Sequence, residues 1–255
     1  MEHDVLQTAD GRRIAYHRMA GAAPGVVFLG GFRSDMSGTK ATHLQDWARA
    51  RGKGFLRLDY TGHGASSGAF DDGCIGDWAR DASDAIDALT EGPQILVGSS
   101  MGGWIALILA GWMPERIAGL VGSAAAPDFT EDSMWAGFND AQRRALTEAG
   151  RVEVPSEYSD DPYSITARLI EDGRNHLVLR SELALPFPVR LLQGMDDVDV
   201  PFAVAVRLAE HATCADLRLT LVKGADHRFS APAELAMITG ALDELISGLG
   251  ASGAL

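Results

Sequence analysis

The stretch that most constrains this chain runs from Gly92 to Pro114. It carries no charged residue over a length that would cross a bilayer. Yet Gly98-Ser99-Ser100-Met101-Gly102-Gly103 interrupts it at its middle. Glycine and serine at that density suit a turn and not a lipid-facing helix. The stretch therefore reads as a buried strand from Pro93 to Val97, a tight turn, and a buried helix from about Met101 to Trp112.

The same alternation continues on either side. The N-terminus reads as a hairpin, Asp4 to Thr8 and Arg12 to His17 around Asp10-Gly11. Gly25–Leu29, Gly54–Tyr60, Ile117–Ser123, Pro188–Gln193 and Leu217–Val222 read as strands. Between and after them, Thr42–Ala50, Gly76–Leu89, Pro201–His211 and Pro232–Leu249 have the composition or spacing of helices. Strands alternating with helices predict an α/β domain with a mostly parallel sheet covered on both faces and a site at the carboxyl ends of its strands. Asp128–Leu185 breaks the pattern: it is richer in charge, lacks short apolar strands and gathers Trp135, Phe138, Tyr158 and Tyr163. It is expected to be a lid inserted at that edge, with residues 1–127 and 186–255 forming the core.

Composition narrows the partners. The chain has 255 residues, room for one large domain or one domain with an insertion. Its two cysteines, Cys74 and Cys214, form no CxxC pair, so neither a disulfide framework nor a zinc site is expected, and no cofactor is implied. A net charge of −13 repels phosphate backbones and anionic membranes, which argues against nucleic acid as a partner. The N-terminal Met1-Glu2-His3-Asp4 lacks an apolar h-region, and a cytoplasmic protein without an integral membrane span is the expectation. Oligomeric state is not legible.

Two segments match G-x-S-x-G: Gly64-Ala65-Ser66-Ser67-Gly68 and Gly98-Ser99-Ser100-Met101-Gly102. A nucleophile elbow needs a strand immediately before and a helix immediately after, so that a strained turn lifts the serine above the sheet. Only the second has both. Its serine, Ser100, is the candidate nucleophile, and the helix that follows aims backbone N–H groups at a developing oxyanion. A serine hydroxyl also needs a base oriented by an acid, here in the chain order Ser, acid, His. Of seven histidines, four precede Ser100, His211 sits on a helix and His176 in the lid. His227 lies in a loop after a strand and is the candidate base. Asp196, Asp197 and Asp199 compete for the acid. Asp197 is preferred because G-x-x-D-x-x-V-P places it three residues after Gly194, while Asp196 and Asp199 are expected to cap the turn and the helix near Pro201. The N–H groups of Phe32, after Gly30-Gly31, and of Met101 are the candidate oxyanion donors.

Gly30-Gly31-Phe32, Asp59-Tyr60-Thr61-Gly62-His63-Gly64, the elbow, Gly194–Pro201 and Asp226-His227 together resemble the α/β-hydrolase superfamily over the full chain. Met36–Ala41, Leu58–Tyr60, Val154–Tyr158, Pro188–Pro201 and Ala225–Arg228 further resemble its branch of mitochondrial palmitoyl-protein thioesterases and acyl-glucuronide esterases. The resemblance implies Ser100 as nucleophile, Asp197 as acid and His227 as base, acting on acyl esters or thioesters of a small molecule or an acylated protein. The chain departs from that pattern in showing no presequence, and in having Gly30-Gly31 where many α/β-hydrolases have His-Gly. Other bonds open to the same triad are amides, lactones and carbon–carbon bonds. A non-catalytic binding protein of the same fold usually lacks a triad member, and here all three positions are filled. Dehalogenases and epoxide hydrolases place aspartate at the elbow. A dinucleotide site would need a third glycine after Gly62-x-Gly64, which is absent.

Overall fold

The computed structural model describes residues 3–154 and 162–251. Residues 155–161 lie outside the described part, and with them Pro155 to Tyr158 of the resemblance. The elements, in chain order, begin with β1 (Asp4–Gln7), β2 (Arg13–Met19), β3 (Ala22–Leu29), α1 (Thr39–Ala50) and β4 (Lys53–Leu58). Next come α2 (Ile75–Leu89), β5 (Gln94–Ser99), α3 (Met101–Trp112) and β6 (Ile117–Ser123). The inserted region holds α4 (Asp140–Ala149), β7 (Arg151–Val154), β8 (Tyr163–Thr166), α5 (Ala167–Arg174) and β9 (Leu183–Ala184). The chain closes with β10 (Val189–Gly194), α6 (Phe202–His211), β11 (Ala212–Thr213), β12 (Leu217–Val222) and α7 (Pro232–Ala251).

Eight strands form one sheet in the order β1-β2-β4-β3-β5-β6-β10-β12. β1, β2 and β4 pair antiparallel, and every pairing from β4 to β12 is parallel. The central strands β5 and β10 are buried along their whole length; β5 reads as an apolar run, and β10 keeps Arg190 paired with Asp216 and Glu244. The helix-spaced residues Ile75, Trp78, Ala82, Ala85 and Ile86 of α2 all lie in the core beneath one face. The other face is covered by α1 and α7, through Leu44, Trp47, Ile238, Leu242 and Leu245. The uncharged Gly92–Pro114 stretch is thus β5, a turn and α3, and among the described residues no helix is long and apolar enough to cross a membrane.

Two expectations are corrected here. α1 starts at Thr39, three residues before the expected Thr42, because the Thr42 hydroxyl and N–H both bond to the carbonyl of Gly38, one turn back. The Asp128–Leu185 stretch does contain strands: β7 and β8 pair antiparallel, and β9 pairs with β11. They are short, and their alternating polar residues hide them from an apolar-run criterion.

The inserted stretch is fastened at its base by Asp128. Its fully buried carboxylate accepts the N–H groups of Val178 and Leu179 at 2.8 and 3.1 Å, and Nη1 of Arg180 at 3.2 Å. Arg180 and Arg207 of α6 both reach Asp132 as well. One carboxylate therefore ties the start of the 128–185 stretch to residues 178–180 near its end. Burial pushes the Asp128 carboxyl upward and the two backbone donors oppose that rise. Asp128→Ala leaves those donors buried without a partner and should cost about 2–3 kcal/mol, read as a lowered urea midpoint. An unchanged midpoint would show that the insertion is held elsewhere.

Candidate active site

β5 ends at Ser99 and α3 begins at Met101, so Ser100 alone makes the turn. Its backbone sits at φ 53° and ψ −119°, a conformation that a non-glycine residue holds only when its surroundings enforce it. They do so here. The Ser100 N–H donates to the carbonyl of Ser123, and its carbonyl accepts from Gly103 and Ala126. The neighbouring glycines allow the approach: a Cβ on Gly98 would lie 2.5 Å from the Gly102 carbonyl oxygen, and one on Gly102 would strike the carbonyl of Leu29.

Around this turn the structure gathers residues far apart in sequence. Nε2 of His227 lies 3.0 Å from Oγ of Ser100, and Nδ1 of the same ring lies 2.9 Å from Oδ2 of Asp197. Asp197 follows β10, and His227 follows β12, both at the carboxyl edge of the sheet. Among the described residues no other histidine bonds to Ser100. His176 instead faces Asp172 and Trp112, and His211 bonds to the carbonyl of Ser181.

The Asp197 carboxylate is fully engaged. Oδ1 accepts the N–H groups of Asp199 and Val200 at 3.0 and 2.8 Å, and Oδ2 accepts Nε2 of Gln193 at 2.8 Å besides His227. Burial works to raise this carboxyl, but the hydrogen bonds from His227, Val200 and Gln193 outweigh it and hold it below the usual range. The expectation that Asp199 caps α6 is corrected: Pro201 occupies the cap and no side chain bonds there. The backbone N–H of Asp199 serves Asp197 instead. Gln193 was not singled out from the sequence, where it is one polar residue ending an apolar strand; that signal is visible only once the strand is known to lead into the acid.

The loop after β3 lies against the elbow, with a Cβ at Gly31 falling 3.4 Å from Cβ of Ser100. Where many α/β-hydrolases have His-Gly, the Gly30-Gly31 loop is supported from the loop after β4: the Tyr60 hydroxyl donates to the Gly30 carbonyl at 3.3 Å, and the Arg33 N–H donates to Nε2 of His63 at 3.3 Å. The first G-x-S-x-G match is also explained. The Ser66 hydroxyl accepts from Ala15 and donates to the Asp59 carbonyl, and the Ser67 hydroxyl accepts from Arg13, so both serines tie the loop to β2.

A cavity of about 850 Å³ opens over Ser100 and His227. One wall is apolar, made by Phe32, Phe129, Met134, Phe138, Ile165 and Tyr163. The lining also carries the polar Ser34, Asp35, Lys40, Arg228 and Ser230. Burial pushes the Lys40 ammonium down to about 8. Of the apolar residues between 128 and 185, Met134, Phe138 and Ile165 line the cavity, Phe138 and Ile165 doing so from within the core; Leu169 and Ile170 are core residues away from the lining, and Trp135 packs against the core. Asp197, Asp199 and His227 are the one cluster of three or more acidic, histidine or cysteine side chains among the described residues whose donor atoms come within 4.8 Å of one another. The Asp197–His227 hydrogen bond already occupies facing atoms of that group.

The alpha/beta hydrolase family model matches residues 26–238. A Bos taurus protein named palmitoyl-protein thioesterase ABHD10, mitochondrial, is 35% identical over 96% of this chain and 80% of its own length, and the Homo sapiens protein of that name is 34% identical over the same shares. A putative hydrolase from Agrobacterium vitis superposes with a TM-score of 0.92 at 42% identity, over 96% of this chain and 98% of that one. Mouse alpha/beta hydrolase domain-containing protein 10 superposes at 0.90 with 31% identity, over 98% and 100%. The expected class, a hydrolase of esters or thioesters, accords with these relatives. The curated ones are mitochondrial by name, against the cytoplasmic expectation, which is withdrawn. With the family model spanning most of the residues and the parallel sheet, elbow and carboxyl-edge loops all in place, the chain belongs to the alpha/beta hydrolase family.

Proposed function

We propose that this hydrolase cleaves long-chain acyl esters or thioesters through Ser100, His227 and Asp197. The observation that carries the reading is the continuous hydrogen-bonded run from Ser100 Oγ through the His227 ring to the buried Asp197 carboxylate. His227 Nε2 takes the Ser100 proton as Oγ attacks the acyl carbonyl, while Asp197 holds the proton on Nδ1 and stabilises the imidazolium. The N–H groups of Phe32 and Met101 receive the oxyanion, and the N-terminus of α3 adds its dipole. The tetrahedral adduct collapses, His227 protonates the departing alkoxide or thiolate, and an acyl-Ser100 remains. Water then gives a proton to His227, attacks the acyl carbonyl and releases the acid, and Ser100 recovers its proton.

The apolar wall supports an acyl chain, each buried methylene contributing about 0.8 kcal/mol. The mitochondrial relatives are named for S-palmitoyl proteins, which accords with this wall. The 128–185 insertion acts as the lid that supplies most of it. Arg33, Lys40 and Arg228 in the same lining favour a second reading of the leaving group, the carboxylate-bearing sugar of an acyl glucuronide.

The test is kcat/KM for matched esters, thioesters and acyl glucuronides of increasing chain length. A rise of about three- to fourfold per methylene is expected while the chain fills the wall. A decline from acetyl upward would remove the long-chain reading. Met134→Trp, which narrows the wall, should lower kcat/KM for a sixteen-carbon acyl group about tenfold or more and leave the acetyl ester within about twofold. Equal losses for both substrates would place Met134 outside the acyl path.

A further inference from the structure

His63 is buried at 3% exposure, yet it belongs to no part of the hydrogen-bonded run at Ser100. Its ring meets Tyr60, Phe70 and Trp78 edge-on, a setting in which a phenylalanine or leucine would pack equally well. What a hydrocarbon could not do is use two ring nitrogens. Nδ1 lies 3.4 Å from the Thr61 carbonyl, and Nε2 lies 3.3 Å from the N–H of Arg33, across thirty positions of sequence. Arg33 N–H is a donor only, so Nε2 must be the acceptor and the proton must reside on Nδ1. Burial pushes the imidazole down to about 4, aided by the nearby Arg33 charge and opposed by the Thr61 carbonyl, so the ring stays neutral at ordinary pH.

The residue it holds is a special one. Arg33 has φ 57°, in the left-handed region that a non-glycine residue occupies only when something outside it compensates. It sits in a turn closed by the Ser34 N–H on the Gly31 carbonyl, and it directly follows Phe32. The Arg33 N–H belongs to the Phe32–Arg33 peptide, which joins the Gly31–Phe32 peptide at the Phe32 Cα, so pinning the first limits how far the second, with its Phe32 N–H, can drift. The Arg33 guanidinium stacks over Phe70 at 4.2 Å and Tyr163 at 5.1 Å, which anchors its side chain but not its backbone.

We propose that His63 is a positioning residue of the oxyanion loop: its neutral imidazole accepts the Arg33 N–H and so holds the adjacent Phe32 N–H toward the acyl carbonyl oxygen at Ser100. This rests on the catalytic reading above. A group acting in this way affects the state with a developed oxyanion more than the bound substrate.

The experiment compares wild type, His63→Leu and His63→Gln for acyl-ester turnover, for inhibition by a trifluoromethyl ketone whose adduct carries an oxyanion, and for Tm. Leucine removes the acceptor, and the glutamine side-chain oxygen falls about where Nε2 sits. His63→Leu should lose roughly 10- to 100-fold in kcat with KM within about threefold, and trifluoromethyl ketone affinity should fall by a similar factor. His63→Gln should recover most of both losses. Equal loss in the two variants, or a folded His63→Leu with kcat within twofold of wild type, overturns the proposal. Nitrogen-15 imidazole shifts of the wild type provide a reading that needs no variant to fold: His63 should be neutral with the proton on Nδ1 at pH 6, and an imidazolium there would overturn the role. A wild type that turns over no acyl ester would overturn the catalytic reading itself, which separates the two failures.

Discussion

Ser100→Ala should lower kcat toward acyl esters and thioesters by about a million-fold, the scale on which loss of a triad serine acts in serine hydrolases. The fold should survive the change. The hydrogen bonds that hold the strained turn come from the backbone of residue 100, to Ser123, Gly103 and Ala126, and alanine retains all three. What disappears is the oxygen 3.0 Å from His227 Nε2, the atom to which the acyl group would be attached. The remaining N–H groups and the cavity still bind substrate, so affinity for a non-cleavable acyl analogue should change little. Retained turnover in a folded Ser100→Ala protein would show that the chemistry runs through another group.

Asp197→Asn should have the next largest effect, a fall in kcat of about 10⁴-fold with little change in volume. The direction follows from which donors face each oxygen. Oδ1 accepts two backbone N–H groups, from Asp199 and Val200, and these cannot be turned around. The asparagine oxygen must therefore take the Oδ1 place, and its NH2 takes the place of Oδ2. There it faces Nδ1 of His227, donates to it, and drives the ring proton onto Nε2. An Nε2–H cannot accept the Ser100 proton. The new NH2 also meets the Gln193 amide, whose Oε1 has no hydrogen-bond partner in the structure, so Gln193 can flip to accept from it at the loss of its bond to Val200. The loss should lie almost wholly in kcat, measured together with KM on one substrate. A loss confined to KM would mean that Asp197 shapes the pocket and does not orient the ring.

Much of this arrangement was legible before any coordinates. The bounds of α3 and β6 match the expected Met101–Trp112 and Ile117–Ser123, because both segments are buried almost throughout and carry no charged residue to blur the pattern. Ser100 was separable from Ser66 by its flanking strand and helix, and Asp197 and His227 by chain order and the loops that hold them. The residues that support these groups were not legible. His63 acts through a contact thirty positions away, which arises only when the sheet brings distant loop ends together, and Gln193 is revealed only once the turn after β10 folds the Asp197 carboxylate back onto its amide. The expected cap at Asp199 failed because α6 starts later, with Pro201 at the cap position, while the Asp199 and Val200 N–H groups turn to the Asp197 carboxylate. The β7–β8 pair was missed because Arg151-Val152-Glu153-Val154 and Tyr163-Ser164-Ile165-Thr166 alternate over too few residues to stand out.

The central claim, that acyl transfer passes through Ser100, is tested most directly by trapping the intermediate. The protein is mixed with excess p-nitrophenyl decanoate, acid-quenched during the first turnover, digested and mapped by mass spectrometry. The account predicts one decanoyl group per chain on the peptide bearing Ser100 in wild type, accumulation absent in Ser100→Ala, and a burst of p-nitrophenol of matching size. Turnover with no acyl group on Ser100, or with the group on another side chain, would contradict it.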